Sequence, residues 1–369
     1  MSGIAASGEF GAFGGGIAGT LLQDSAAVRQ QLDTLTTQAG SGYVADTYAG
    51  LGSNAGIALA VAPQLASVKA WQNDINAATG PMQVAQTALT QISAIASTFY
   101  ADTNNLNGLN ASEVDSTASA ARQALSQVAG MLDSTDGGTY VFAGQDSSNA
   151  PVPNPDTITG SGFYSAIQSA VAGLATTGAP AVIASTLATA ASNAPGVSPF
   201  SPGMSQPAAV LQEALPSVAT GPGTSAPIGI PASANAFVAS TGSSTTGSYS
   251  RDILRALATL GSLSSSQIND PGFAAVVADV RSSLGGAITA LNEDAGVLGN
   301  TQASLATEQT TLGDTATALS TQLSGVQSVD MAQTLSTLMQ MQTRLQASYQ
   351  LINGLQTYSL AKLITPTVG

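Results

Sequence analysis

The sequence predicts a mainly α-helical fold: an elongated antiparallel helical bundle of coiled-coil character formed by both ends of the chain, with a β-hairpin and an inserted mixed domain. Three observations predict it. Val277, Leu284, Leu291, Leu298, Leu305, Leu312, Leu319 and Val326 fall at sevens without a slip. Such a row spans about fifty residues of continuous helix, where a globular helix averages about a dozen. Nearer the start, Val68, Ile75, Met82, Leu89 and Ala96 form one row, and Trp71, Ala78, Ala85, Ile92 and Phe99 a second, offset by three, which is the a/d pattern of a coiled coil. Between the two, residues 145–248 lose the period and are rich in Pro, Gly, Ser, Thr and Ala.

Taken in order, residues 1–20 are Gly- and Ala-rich and predict a flexible tail; they lack the basic region and compact apolar core of a secretory signal. Periodicity begins at Leu21, with Val28 and Leu35 at sevens and Leu32 between, and stops at Gly40-Ser41-Gly42. Residues 43–56 are Gly-rich and irregular. The a/d helix then follows, interrupted by Gly80-Pro81; because the phase is unchanged across it, the spacing predicts a kinked but continuous helix. A third helix is expected over 112–132 with Ser112 as N-cap and Asp115 three residues on. Thr139-Tyr140-Val141-Phe142, closed by Gly144, predicts one arm of a hairpin.

The domain boundaries expected are thus a tail at 1–20, a helical arm at 21–144, an inserted variable domain at 145–248, a long-helix arm at 249–329 and a terminal helix with its tail at 330–369. Within the insertion, helices are expected near 163–176 and 181–194 and strands at 226–230 and 236–239. Helical periodicity returns at 251–260, and a phase break at 324–330 marks a turn. The last helix carries Met331, Leu338, Leu345 and Ile352 at sevens, supported by Leu335, Met341 and Leu355. Its end, 364–369, contains Pro366 and is expected to fray.

Composition excludes several classes of function. The chain has no cysteine and no histidine. The preferred ligands of zinc, haem and iron–sulfur sites are therefore missing, and Ser–His or Cys–His nucleophiles are impossible. Eight Lys and Arg against twenty-one Asp and Glu give a net charge of −13, which argues against nucleic acid, whose phosphates need clustered cations. No uninterrupted apolar run of about eighteen residues appears, so no membrane insertion is expected. Thiol-free sequences suit export in the unfolded state.

Candidate catalytic signals fail on their context. Gly14-Gly15-Gly16-Ile17-Ala18-Gly19 fits G-x-G-x-x-G by letter, without the preceding strand that a dinucleotide site needs. Asp133 and Asp136 before Gly137-Gly138 lack the spacing of a calcium loop and predict a helix end with a tight turn. Glu293-Asp294 predicts a solvated face rather than acid–base chemistry. Trp71, Phe99 and Tyr349 are expected in core packing, and Met82, Met331, Met339 and Met341 in adaptable interfaces. A carboxylate hydrolase in the insertion would have few acids to draw on, chiefly Asp146, Asp156 and Glu213. No catalytic residue, cofactor or metal is assigned. The candidate functional feature is instead the assembly seam: Leu21, Val28 and Leu35; Val68, Ile75, Met82 and Leu89; Val277 through Leu319 at sevens; and Met331, Leu338, Leu345 and Ile352.

Several segments resemble the bacterial flagellin superfamily. Gly138-Thr139-Tyr140-Val141-Phe142-Ala143-Gly144, followed by Ala150-Pro151-Val152, resembles the family's G-x-Y-[IVL]-F-A-G…P element. The stretch from Asp330-Met331-Ala332 through Leu345-Gln346-Ala347-Ser348-Tyr349-Gln350 to Tyr358-Ser359-Leu360 is similar to its terminal helix. Val297-Leu298-Gly299-Asn300 stands where the family carries a Leu-Gly step, and Gln38-Ala39-Gly40-Ser41-Gly42 resembles its Q-x-S-T-G turn. The departures are Tyr43-Val44 where a basic residue is expected, Ala45-Asp46-Thr47-Tyr48-Ala49-Gly50 in place of an acidic D-D-P-like element, and the missing I-N-T-N-type opening. The missing opening together with the Tyr-Val-Phe-Ala-Gly element inclines the resemblance toward the hook–filament junction branch, with filament flagellin as the alternative.

The resemblance implies a non-enzymatic structural subunit of the flagellum, located outside the cell. It would be exported unfolded with the help of an export apparatus and chaperone, and its partners would be copies of itself and other flagellar axial proteins. A more distant alternative from the residues alone is a surface adhesin or binding module using the 145–248 insertion. Isolated terminal helices with an exposed apolar stripe are expected to order only when packed against neighbours.

Overall fold

The structure, a computed structural model, describes residues 10–106 and 110–364, with side chains over 19–106 and 110–354. It is mainly α, with long helices packing antiparallel and two small two-stranded hairpins. The chain divides into two compact units: one from its two ends, Met1–Ser67 with Thr315–Gly369, the other Val68–Asp314.

Two helices dominate: α2, Ala55–Asp102, and α9, Phe273–Gln327, at 48 and 55 residues. Helix α2 runs through Gly80-Pro81 without interruption, as the constant phase requires. Glycine at 80 also has a packing reason, since a Cβ there would lie 2.5 Å from Asp136 Oδ2. Within the second unit α2 and α9 keep one antiparallel register: Ser93 Oγ donates to Asn292 Oδ1 at 2.9 Å, and Gln309 Nε2 donates to Asn76 Oδ1. The seam residues here are closed off from water. Val68, Ile75, Met82 and Leu89 on α2, and Val277, Leu284, Leu291, Leu298, Leu305 and Leu312 on α9, are all buried. By length and composition two helices, Tyr48–Asp102 and Phe273–Gln327, are apolar enough to cross a membrane, with mean hydropathy of 1.2 and 1.3 over their best windows. This qualifies the expectation of no candidate span; alanine between the seam positions supplies the hydropathy, and in the second unit other elements cover the larger side chains.

Helix α3, Ala111–Leu132, starts from Asn110 rather than Ser112: the Ser112 hydroxyl donates to Asn110 Oδ1 at 2.9 Å instead of capping the helix. Strands β1, Thr135–Asp136, and β2, Thr139–Tyr140, pair antiparallel across Gly137 and Gly138, whose φ values of 56° and 87° are what a tight hairpin turn asks of glycine. The strand is shorter than expected. Val141 N still donates to Ser134 O at 3.0 Å, one step on in the register, but Phe142 turns inward, fully buried, and its carbonyl accepts from Ala232 N at 2.8 Å.

The insertion folds as α4, Gly162–Ala172; α5, Leu174–Thr177; α6, Ala179–Ala191; α7, Ala208–Glu213; and the hairpin of β3, Ser217–Gly221, with β4, Thr224–Pro227. Gly173 divides the helix expected at 163–176 into α4 and α5, and the helix expected at 181–194 is α6. The strand expected at 236–239 is absent; that segment turns its N–H groups onto a carboxylate instead. The boundaries expected at 145 and 248 both fall inside the second unit. The reason lies in α8, Tyr249–Ser262, buried from residue 249 to 261. Its Arg251 donates to Ser233 O (2.8 Å), Ala190 O (2.9 Å) and Asn193 Oδ1 (2.6 Å). Its Arg255 pairs with Asp279 of α9 at 3.1 Å.

In the first unit α1 spans Phe10–Ser41 and α10 Met331–Ile364. Helix α1 thus begins eleven residues before the expected Leu21, and part of the expected tail is helical even though that stretch is rich in glycine, a poor but tolerated helix residue. Residues 1–9 and the expected fraying end at 365–369 lie outside the described residues. A short 3-10 turn, Tyr48–Asn54, leads into α2.

Candidate assembly surface

Each terminal helix carries one continuous stripe. On α1 it is Leu21, Ser25, Val28, Leu32, Leu35 and Ala39; on α10 it is Thr334, Leu338, Met341, Leu345, Ser348 and Ile352. Alternating steps of three and four make this a narrow coiled-coil seam. The antiparallel register is fixed at the turn, where Val329 N donates to Gly42 O (3.0 Å), Val44 N donates to Gln327 O (2.7 Å), and Tyr43 bridges Ser328. It is fixed again further along, where the Arg29 guanidinium lies over the Tyr349 ring, 5.3 Å from its centre. That register sets Leu35 level with Leu338, Val28 with Leu345 and Leu21 with Ile352. Ser25 and Ser348 share a level, and their small side chains let the helices approach.

This seam is not closed. Leu21, Val28, Leu35, Leu319, Leu338, Leu345 and Ile352 are only half-buried, and Met331 is exposed. Among the described residues of the first unit the fully buried apolar side chains are Leu51, Ala58, Val61 and Leu65; all other such side chains lie in the second unit. Exposed large apolar residues show the reverse distribution. Of the thirteen described, eleven belong to the first unit: Leu22, Tyr43, Val44, Tyr48, Ile57, Leu59, Met331, Leu335, Met339, Tyr349 and Leu351. Met331, Leu335 and Met339, four apart, draw a second stripe on α10 beside the first. Periodicity alone, scanned at sevens, passes over this second stripe; a scan at fours finds it.

Tyr349, expected in the core, is 38% exposed and serves as the platform for Arg29. Trp71 is half-buried and Phe99 buried. Leu355 falls where side chains are not described.

Residues 282–364 match the bacterial flagellin C-terminal helical region. The match supports the bacterial flagellin family. No curated protein matches the chain. The matched region takes in most of α9 and all of α10, hence half of the open seam. The flagellin family is structural rather than enzymatic, and the match supports a flagellar structural subunit.

The flagellin-like element 138–144 has a different place from the seam. Gly138 and Gly144 take positive φ, Phe142 and Ala143 are buried, Tyr140 N donates to Ser147 O at 2.8 Å and Val141 N to Ser134 O at 3.0 Å. It is a folding element of the second unit. Beside it Asp133, at the end of α3, accepts from Val152 N at 2.8 Å, and burial raises its carboxyl to about 6 against that bond.

Asp294 corrects the expectation of a solvated acidic pair. Glu293 is exposed, but Asp294 is fully buried and accepts from the backbone N–H groups of Ala236 (2.8 Å), Phe237 (3.0 Å) and Val238 (2.7 Å). Burial pushes its carboxyl above the ordinary range, opposed by those three donors. The nearby Tyr249 hydroxyl is pushed well above its usual value, first by burial and then by the Asp294 charge. The arrangement fastens a loop to α9. Among the described residues no cluster of three metal-binding side chains occurs.

Proposed function

We propose that this chain is a flagellar axial subunit, exported unfolded with chaperone help and assembled outside the cell by burying the seam of α1 and α10 against copies of itself and neighbouring axial proteins. One observation carries the reading: the seam residues of α1 and α10 stay half-buried or exposed, while Val68 to Leu89 and Val277 to Leu312, at the same sevenfold spacing, are buried. Burying one Leu contributes about 1.5–3 kcal/mol, whereas fixing one residue's backbone costs about 1–2 kcal/mol. Two long helices with a half-closed seam are therefore marginal alone and favourable once a neighbour covers them.

The position we propose is the hook–filament junction, on the strength of the Tyr140-Val141-Phe142-Ala143-Gly144 element. Immuno-electron microscopy tests it: a single band at the hook's tip is the expected labelling, and labelling along the whole filament would assign the chain to filament flagellin. Replacing Leu338 and Leu345 by Asp tests the seam. Assembly should be lost with the second unit still folded, and normal polymers from this variant would refute the reading.

A further inference from the structure

The second unit carries one exposed cation set on an aromatic ring beside an open groove. Arg281 of α9 lies over Tyr100 of α2, 5.1 Å from the ring centre. The groove has a volume of about 550 Å³ and is lined by Tyr100, Thr103, Asn104, Arg281, Ser282 and Gly285 among others. Tyr100 remains 36% exposed. Arg281 makes no ion pair or hydrogen bond with a described residue, whereas Arg251 and Arg255 are buried and hydrogen-bonded and Arg122 donates to Gly261 O at 2.7 Å.

The helix gives something up to build this pair. Gly285 sits inside a 55-residue helix, where glycine is unfavourable. A Cβ at 285 would lie 3.4 Å from Tyr100 Cε2, in contact with the edge of the ring. The ring thus sits directly beside α9 at this glycine, with the guanidinium over it, and the pair is exposed. A guanidinium stacked on a ring keeps its edge donors free for a carboxylate.

Charge complementarity names the occupant. The chain carries twenty-one acidic and eight basic residues, so a second copy brought alongside presents carboxylates far more often than cations. We infer that the Arg281–Tyr100 groove receives an acidic side chain from a second copy of this chain, a polar contact between neighbouring second units. This rests on the self-assembly proposed above and adds to it a specific, salt-sensitive contact away from the terminal helices.

The test compares full-length wild type with Arg281→Ala and Arg281→Glu in seeded polymerisation, after far-UV circular dichroism and melting show both variants folded. The expected result is that Arg281→Glu raises the concentration at which polymers form at least about tenfold, through like-charge repulsion. Arg281→Ala should raise it less and weaken its dependence on salt. Wild-type behaviour of Arg281→Glu would overturn the inference. So would equal losses in both variants with unchanged salt dependence. The Leu338→Asp, Leu345→Asp variant run alongside separates the two readings: if it fails to assemble while Arg281→Glu assembles normally, the groove alone is refuted.

A second measurement identifies the occupant. Because the chain has no cysteine, Ser282→Cys can carry a single photo-crosslinker in polymers mixed from light and heavy-isotope copies. Light-to-heavy crosslinks to a peptide containing Asp or Glu are expected. Crosslinks confined to one copy, or to peptides without an acid, would contradict it.

Discussion

Single residues in the second unit carry energy out of proportion to their number. Asp294 satisfies three backbone donors of a loop with no other regular structure. Leaving a buried donor unpaired costs about 1–3 kcal/mol, so Asp294→Ala should lower the stability of this unit by about 3 kcal/mol or more, and Asp294→Asn by less, because an amide oxygen still accepts. Urea unfolding followed by fluorescence of Trp71, the only tryptophan, reads this directly; an unchanged midpoint for Asp294→Ala would contradict it. Asp133 gives a pH prediction. Its folded value is about 6, raised from 3.8 by burial, so the folded state binds this proton more tightly than the unfolded chain. Stability from this group therefore rises as pH falls from above 6 toward 4. Asp133→Asn keeps an acceptor for Val152 N–H while removing the buried charge. It should raise stability at pH 7.5 and flatten the slope between pH 7.5 and 5; an identical slope would show that Asp133 does not set it. None of this is visible in the sequence. Asp294 stands next to the exposed Glu293, and the loop that covers it lies 56 to 58 residues away in the chain.

At the scale of elements the sequence was most legible where a period repeats. The long helices α2 and α9, the turn after Gln327 and the hairpin at Gly137-Gly138 follow from heptads, a phase break and a Gly-Gly pair. Helix ends were less so, as Asn110 in place of Ser112 shows: the helix starts from Asn110 without any side-chain capping bond, so a capping residue type alone does not mark its first turn. Inside the insertion the signals locate α4, α5 and α6 but miss α7 and β3, elements of six and five residues that are too short for a period to mark. Glycines within α9 separate propensity from packing. A Cβ at Gly299 meets nothing within 4 Å, whereas one at Gly286 would lie 2.9 Å from the Thr241 carbonyl oxygen. Gly299→Ala should therefore stabilise by about 0.5–1 kcal/mol, and Gly286→Ala should destabilise despite the same gain in propensity. Thermal melts that shift in the same direction for both would refute this division.

For the whole molecule, the seam predicted as one feature divides into two kinds. From Val68 to Leu89 and from Val277 to Leu312 it is a closed core; at Leu21 to Leu35 and Met331 to Ile352 it is half-open. Sevenfold spacing reports where a helix is apolar, not whether its partner is already present, so the sequence could mark both sets only as one list. Hydrogen exchange with mass spectrometry on the monomer and on assembled polymer tests the difference most directly. The account predicts slow exchange across α3, α8 and residues 273–312 in both states, with fast exchange in α1 and α10 of the monomer that slows on assembly. Equal, strong protection of α1 and α10 in the monomer, unchanged in the polymer, would contradict it.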